Sequence, residues 1–191
     1  VCLLVPVQMV SQTWDDHDRS GRYACRDFGQ NYLNSMPEDG NPIIFTCGDN
    51  DTFPLWYSQE VEGVRTDSRV CNLSYLQTDW YIDQMKRPYY NSPGLPISWE
   101  YKDYMPGKNE IAWVENRLHA PLEVSKAFQF LLSDDPRTKR DGEGYIPSDQ
   151  LYVLSPDSQK IMFKKARRFT RSEMMVMEML STNEWKRPMY F

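Results

Sequence analysis

The sequence predicts one α/β domain, residues 1–191, built on a three-layer, mostly parallel sheet with flanking helices of the Rossmann-like, doubly wound kind. Residues 43–47 form a continuous apolar run of strand length, typical of a parallel strand covered on both faces. A helical pattern follows this strand, and a second strand at 69–75 is followed by a second helical pattern. Such alternation implies parallel strands joined by right-handed crossovers.

Three helices are predicted in the first half of the chain. The first spans residues 18–35, and the second follows strand 43–47, with Pro54 in its first turn and Gly63 at its end. The third is capped by Thr78 and stopped by Pro88. The predicted apolar faces are Ala24, Phe28 and Tyr32 on the first helix, and Phe53, Trp56, Tyr57 and Val61 on the second.

The second half is predicted to be less regular. We expect a short strand at 96–99, a helix begun by Pro121, a mobile charged loop at 137–144 and a strand around Leu151 and Val153. The helix after Pro121 buries Val124, Ala127, Phe128 and Leu131. A last helix begins at Ser172, and its many methionines indicate deep burial or contact with a missing partner. A final strand follows Pro188.

Composition excludes some functions and leaves others open. A formal charge of −5 argues against nucleic acid as a partner, because phosphate-backbone binding needs a strongly basic face. The four cysteines show no zinc-site spacing, and Cys47 and Cys71, near the ends of neighbouring strands, are either free thiols or a disulfide. Nucleotide-binding glycine loops, hydrolase elbows and zinc-protease motifs are absent from the sequence.

Polar residues follow both predicted strands, where ligands bind in open parallel sheets. Gly48, Asp49, Asn50 and Asp51 follow the first strand, and Asp79 lies in the loop after the second. The Asp49 and Asp51 carboxylates could hold a divalent cation or sugar hydroxyls, and this spacing also occurs in metal-dependent sugar transferases. Alternatively, Asp51 or Thr52 caps the following helix and Gly48 permits a tight turn.

A denser polar cluster lies across the start of the first predicted helix. It consists of Trp14, Asp15, Asp16, His17, Asp18, Arg19 and Arg22. Three carboxylates and an imidazole could bind metal or run acid–base chemistry. The competing interpretation is that Asp16 or Asp18 caps the helix while the arginines pair with neighbouring acids.

Aromatic and basic residues add two further candidate surfaces. Trp56 and Trp80, with Tyr57 and Tyr81, either stack on sugar rings or belong to the core. A local basic group suits anionic lipid headgroups, or is a solvated face: Lys160, Lys164, Lys165, Arg167, Arg168 and Arg171. We expect the isolated His119 to be structural.

Three segments resemble a bacterial family of uncharacterised polytopic membrane proteins. They are TWDDHDRSGRYACRDF from Thr13, IIFTCGDNDTFPLWYSQEVEGVRTDSRVCNLSYLQTDWYIDQMKRP from Ile43, and NEWKRPMYF from Asn183. The resemblance implies a multi-helix membrane region, similar to the protein O-mannosyltransferases of the GT-C glycosyltransferase class, followed by a soluble region. This chain would be that soluble region, on the periplasmic face of the inner membrane, with residues 1–12 as the tail of a preceding membrane helix.

The resemblance implies a binding role, because the catalytic acid of GT-C enzymes lies in the membrane region. We therefore expect an accessory or substrate-binding domain of a glycosyltransferase-like protein, itself not catalytic. Its partners would be the parent's membrane region and a glycan or polyprenyl-phosphate-linked sugar. The alternatives are an independent divalent-metal-dependent enzyme that uses the acidic loops, or a purely structural interaction domain.

Overall fold

Seven α-helices, two short 3-10 helices and ten strands make up the computed structural model, which describes residues 2–191. The helices are α1 (Leu4–His17), α2 (Ala24–Asn34), α3 (Asp49–Glu60), α4 (Asp79–Met85), α5 (Tyr101–Tyr104), α6 (Val124–Leu132) and α7 (Arg171–Thr182). The strands are β1 (Ile43–Thr46), β2 (Arg69–Asn72), β3 (Ile111–Val114), β4 (Leu122–Glu123), β5 (Lys139–Arg140), β6 (Glu143–Ile146), β7 (Gln150–Leu154), β8 (Lys160–Lys164), β9 (Arg168–Thr170) and β10 (Met189–Tyr190).

The parallel unit predicted around the first two strands is confirmed. β1 lies between β2 and β10, and both neighbours run parallel to it, with Ile44 opposite Val70 on one side and Tyr190 on the other. Every residue of β1 and β2 is buried, as expected for strands covered on both faces. Helix α3 makes the crossover from β1 to β2.

The remaining strands form two further sheets, in the orders β5-β6-β3-β9 and β4-β7-β8, and both contain antiparallel pairs. The chain is therefore a mixed α/β domain, and a single Rossmann-like, three-layer sheet is not confirmed. The predicted mobile loop at 137–144 is wrong, because most of it forms the β5–β6 hairpin. Asp141 and Gly142 both have positive φ, at 51° and 85°, which is the backbone geometry of a two-residue hairpin turn.

Two predicted helix faces are wrong because the close approach of α2 to α3 decides which sides are covered. Gly29 of α2 lies against the Pro54 carbonyl of α3, so the side of α2 that carries Gly29 and Leu33 is buried. On α3 the buried residues are Thr52, Leu55, Ser58 and Gln59. The predicted apolar residues Phe28, Tyr32, Phe53, Tyr57 and Val61 are exposed.

Several predicted helix and strand boundaries also differ from those in the structure. Helix α2 begins at Ala24 rather than at residue 18, and Pro54 lies beyond the first turn of α3. No strand forms at 96–99, although Ile97 and Trp99 are buried there. Helix α6 begins at Val124 because residues 122–123 pair with β7, and its four predicted core residues are all buried.

The methionine-rich helix α7 is deeply buried, as one of the two interpretations expected. Met174, Met175 and Met179 have no exposed surface. The Thr170 side chain accepts the backbone N–H of Glu173, and the Glu173 carboxylate accepts that of Thr170, a capping box that begins the helix. Together α6 and α7 contribute eight of the buried residues of the main hydrophobic core.

Cys71 is a fully buried free thiol, whereas Cys47 is exposed and also free. Burial raises the pKa of the Cys71 thiol to about 12. We expect iodoacetamide at about pH 8 to label the exposed cysteines and leave Cys71 unmodified until the chain unfolds, because the thiolate is the reactive form. Labelling of Cys71 in the folded chain, read by mass spectrometry of peptides, would contradict this burial.

The same raised pKa predicts a loss of stability at alkaline pH. The contribution of the Cys71 thiol is fully present below the ordinary thiol pKa of about 8.5 and is lost as pH rises toward the folded pKa. Between about pH 9 and pH 10 the free energy of unfolding should fall by up to about 1.4 kcal/mol from this group. Urea unfolding across that range should show a smaller fall for Cys71→Ala.

Candidate functional site

The acidic cluster at 14–22 lies largely on exposed helix surface. Helix α1 extends to His17 and buries none of its side chains, and the His17 imidazole Nδ1 lies 3.0 Å from the carbonyl of Thr13. Hydrogen bonding from the Ser20 side chain, and next from the Ser20 backbone N–H at 2.9 Å, lowers the pKa of Asp18. Neither Asp16 nor Asp18 caps α2, whose N-cap is Tyr23. The predicted membrane-helix tail includes residue 1, which lies outside the described residues.

The loop after β1 has the predicted tight turn but not the predicted cap. Gly48 has a φ of 81° and is the N-cap of α3, while Asp49, Asn50 and Asp51 lie exposed in its first turn. The buried Thr52 hydroxyl donates to the Gly48 carbonyl at 2.6 Å, within the helix, rather than capping it.

A buried polar network joins the ends of β1 and β2. The Thr46 and Thr52 hydroxyl oxygens lie 2.8 Å apart, and the Asn72 amide donates to Thr52 at 2.7 Å. The Asn72 carbonyl oxygen accepts the backbone N–H groups of Ser74 and Tyr75. Because these groups satisfy one another, the network holds the two strand ends together rather than offering itself to a ligand.

The two acidic segments are not joined in the structure. Within residues 2–191 no hydrogen bond or ion pair links residues 14–22 to residues 48–51. No group of three or more His, Cys, Asp and Glu side chains in this part of the chain could hold a metal ion. Asp49 and Asp51 thus remain a pair of exposed carboxylates, and the cation site stays a prediction.

The structure instead brings aromatic rings together around a cavity of about 500 Å³ between α3, β2 and α4. We call it the aromatic pocket; its rings are Trp56, Tyr75, Trp80, Tyr81, Tyr89 and Tyr90. Trp56 stacks on Tyr75 with centroids 6.1 Å apart, and Trp80 lies 6.1 Å from Tyr75. Trp56 and Trp80 were both predicted as binding residues, and the structure places both in this wall.

Arg69, the first residue of β2, lines the aromatic pocket and is only 3% exposed. Its Nη2 donates to the carbonyls of Gln84 at 2.9 Å and Arg87 at 3.0 Å. Nε and Nη1 are buried without a hydrogen-bond partner in the described chain, and burial lowers the pKa of the guanidinium. The guanidinium carbon lies 5.5 Å from the centre of the Tyr89 ring.

No carboxylate within residues 2–191 forms an ion pair with Arg69. Arg187 adds positive charge nearby: burial lowers the pKa of Arg187 to about 10, and the charge of Arg69 contributes to the shift. A buried cation with free N–H groups and no counter-charge is costly. An anionic group entering the pocket would relieve that cost.

Glu60 organises the mouth of the aromatic pocket. The Tyr89 and Tyr90 hydroxyls donate to its carboxylate at 2.9 Å and 2.7 Å. The hydrogen bond of Tyr90 to Glu60, and next its hydrogen bond with Tyr89, raise the pKa of Tyr90 to about 12. Sequence reasoning missed Arg69, Tyr89 and Tyr90; the signal for Arg69 was a charged residue opening an otherwise apolar strand.

The fold and the pocket define a mixed α/β domain with a cationic, aromatic-lined cavity. The chain belongs to the TMEM260-associated domain 2 family, whose model matches residues 25–165. That range runs from α2 through β8 and includes the whole aromatic pocket. No curated protein and no solved structure matched the chain.

The match confirms membership of an uncharacterised domain family, as the sequence resemblance implied. It lends no support to a bacterial source, a glycosyltransferase-like parent or a periplasmic location, which stay predictions. Across residues 2–191, none of the helices has the length and apolar character required to cross a bilayer.

Proposed function

We propose that this chain is a ligand-binding domain whose aromatic pocket takes a sugar ring carrying a carboxylate or phosphate group. The observation that carries the proposal is the buried Arg69, with two unpartnered N–H-bearing nitrogens and no ion-pair partner in the described chain. Guanidinium N–H groups donate charge-assisted hydrogen bonds to carboxylate and phosphate oxygens. The ligand class follows from this charge together with the rings around it.

The pocket walls support a ring-shaped ligand. Trp56, Tyr75 and Trp80 form a continuous run of stacked or tilted rings. Flat aromatic faces bury the apolar side of a sugar while the edges of the pocket offer polar groups. A volume of about 500 Å³ lies within the usual range for small-molecule sites.

The same walls favour binding over catalysis. Glu60 is the one carboxylate among the pocket residues of the described chain, and two tyrosine hydroxyls already donate to it. General acid–base chemistry on a sugar usually needs two carboxyl groups across the reacting bond. On this proposal the domain serves as the accessory or substrate-binding part of a membrane-bound, glycosyltransferase-like protein on the periplasmic face.

Isothermal titration calorimetry with glucuronate, glucose 1-phosphate and glucose tests the proposal. The two anionic ligands should bind, and glucose at least about tenfold more weakly, because Arg69 would stay unpaired. Trp80→Ala should weaken binding of the anionic ligands by about tenfold through lost ring contact. Trp80 is 55% exposed, so this variant should fold normally.

Trp113→Ala is the matched control, since Trp113 is 52% exposed and does not line the aromatic pocket. It should bind like the unmodified chain. Arg69→Lys keeps the charge but removes the guanidinium N–H donors, so it should also lose affinity while circular dichroism reports the fold. Equal affinity for glucose and the anionic ligands, or no effect of Trp80→Ala, would refute the proposal.

A further inference from the structure

A second cavity, larger than the aromatic pocket and also mostly apolar, lies between β8, β10 and α7 and has a volume of about 1020 Å³. We call it the edge groove. Val176, Met177 and Leu180 of α7 line it, and the aromatic side chains of Trp185 and Phe191 remain largely exposed beside it. Such a groove exceeds the scattered apolar exposure of an ordinary surface.

The edge groove runs along the free edges of two sheets. β8 is the outer strand of the order β4-β7-β8, and β10 is the outer strand of the order β10-β1-β2. Residues 161–164 and residues 188–191 all line the groove in unbroken succession. Because successive side chains of a strand point to opposite faces, a groove that contacts every one of them follows the edge of the strand.

The pairing of β7 with β8 shows which backbone groups are free. The Ser155 N–H donates to the Gln159 carbonyl, and the Lys165 N–H donates to the Asp149 carbonyl. Since hydrogen-bonded pairs alternate along an antiparallel ladder, the polar groups of residues 161 and 163 point toward β7. The N–H and C=O groups of Lys160, Met162 and Lys164 therefore point away from β7, to the unpaired edge.

The charge around this edge is opposite to that of the whole chain. Lys160, Lys164, Arg167 and Arg168 are exposed there, although the chain has a formal charge of −5. Lys165 pairs with Glu173 at 2.6 Å, and the buried Arg171 takes no part in this surface. Four residues of the predicted basic group therefore form a positively charged surface beside the groove. The charge of this surface is complementary to that of acidic side chains.

We infer that the edge groove binds an extended, acidic peptide segment of a partner polypeptide, which adds to β8 as a further strand. Strand addition satisfies the free N–H and C=O groups, and alternate apolar side chains of the segment fill the groove. A lipid tail could fill the groove but could not pair with those backbone groups. Lysines that only guard an edge against pairing would not need an apolar groove beside it.

Fluorescence anisotropy with a labelled peptide of about six residues, Glu-Val-Thr-Val-Glu-Val, tests the inference on the full chain. The peptide should bind, and the same peptide N-methylated at alternate residues should bind at least about tenfold more weakly, because it cannot pair along one edge. Met162→Pro should cause a similar loss, since proline removes an outward N–H and is tolerated on an edge strand.

Met162→Ala is the matched control, because it shortens the side chain but retains the N–H, and its loss should stay below about threefold. Lys164→Glu should weaken binding most at low salt. Equal binding of the N-methylated peptide, no binding up to about 1 mM, or stronger binding to anionic phosphatidylglycerol vesicles than to the peptide would overturn the inference. Glucose 1-phosphate should not displace the peptide, so this site and the aromatic pocket are tested separately.

Discussion

Replacing Arg171 with methionine should lower the free energy of unfolding by about 3 kcal/mol or more. Arg171 is 3% exposed, and its guanidinium donates to the carbonyls of Gln77 and Lys108, each at 2.8 Å. Methionine fills much of the same space but donates no hydrogen bond. The substitution therefore removes hydrogen bonds from a charged donor to two distant segments, and each such bond contributes about 1.5–3 kcal/mol.

Urea unfolding followed by circular dichroism measures this loss. Arg168→Met is the matched control, because Arg168 lies three residues earlier on an exposed position and forms none of these hydrogen bonds. Its unfolding free energy should stay within about 0.5 kcal/mol of that of the unmodified chain. Similar losses for the two variants would show that Arg171 does not join these segments.

Gly29→Ala should destabilise the chain by about 2–3 kcal/mol, because the position has no room for a methyl group. A Cβ atom at Gly29 would lie 2.2 Å from the Pro54 carbonyl oxygen and 2.6 Å from the Ser58 hydroxyl. The nearer atom belongs to the backbone of a helix, so α2 and α3 must separate to accept it. Gains in helix propensity from alanine, about 1 kcal/mol, are too small to compensate.

Gly21→Ala provides the control for this substitution, since nothing lies within 4 Å of the position of its Cβ atom. We expect its midpoint of thermal unfolding to change little. A Gly29→Ala variant as stable as Gly21→Ala would mean that the two helices do not approach as closely as the structure shows. Because α3 carries Trp56 and Glu60, separation of these helices should also weaken ligand binding in the aromatic pocket.

Local patterns were sufficient for several elements. β1 is apolar throughout and β-branched in part, and its parallel pairing with β2 was predicted correctly. The four apolar residues of α6 recur at helical spacing, and all four are buried. These elements agree with their patterns because the residues that specify them are neighbours in the chain.

The hairpins show where pattern reading failed despite a usable signal. Asp141-Gly142 is a common two-residue hairpin turn, but the surrounding charges suggested a mobile loop. β8 was not predicted at all, since its residues pair only with β7 and read as a basic surface segment. Local antiparallel pairing of this kind replaced the single parallel sheet that the first half of the chain suggested.

The candidate sites depended on tertiary structure to a greater degree. Trp56 and Trp80 are recognisable from the sequence as aromatic candidates. The role of Arg69 depends on its burial and on its hydrogen bonds to the carbonyls of Gln84 and Arg87, which only the structure shows. Conversely, the sequence places Arg171 in a basic surface group, whereas the structure buries it and shows that it donates hydrogen bonds to the Gln77 and Lys108 carbonyls. A charged side chain has the same sequence signature in both settings, because its burial is decided by segments far away in the chain.

The sequence by itself determined the helices and strands with strong local patterning and the parallel pairing of β1 with β2, and it left burial of the methionine-rich helix as one of two interpretations. Only the tertiary structure decided which helix faces are covered, how the later strands pair, and which polar groups remain unpaired. The physical reason is the separation of the interacting residues along the chain. Hydrophobic periodicity and helix capping act over a few residues. The close packing at Gly29 and the unpaired, buried charge of Arg69 depend on segments that are distant in the sequence.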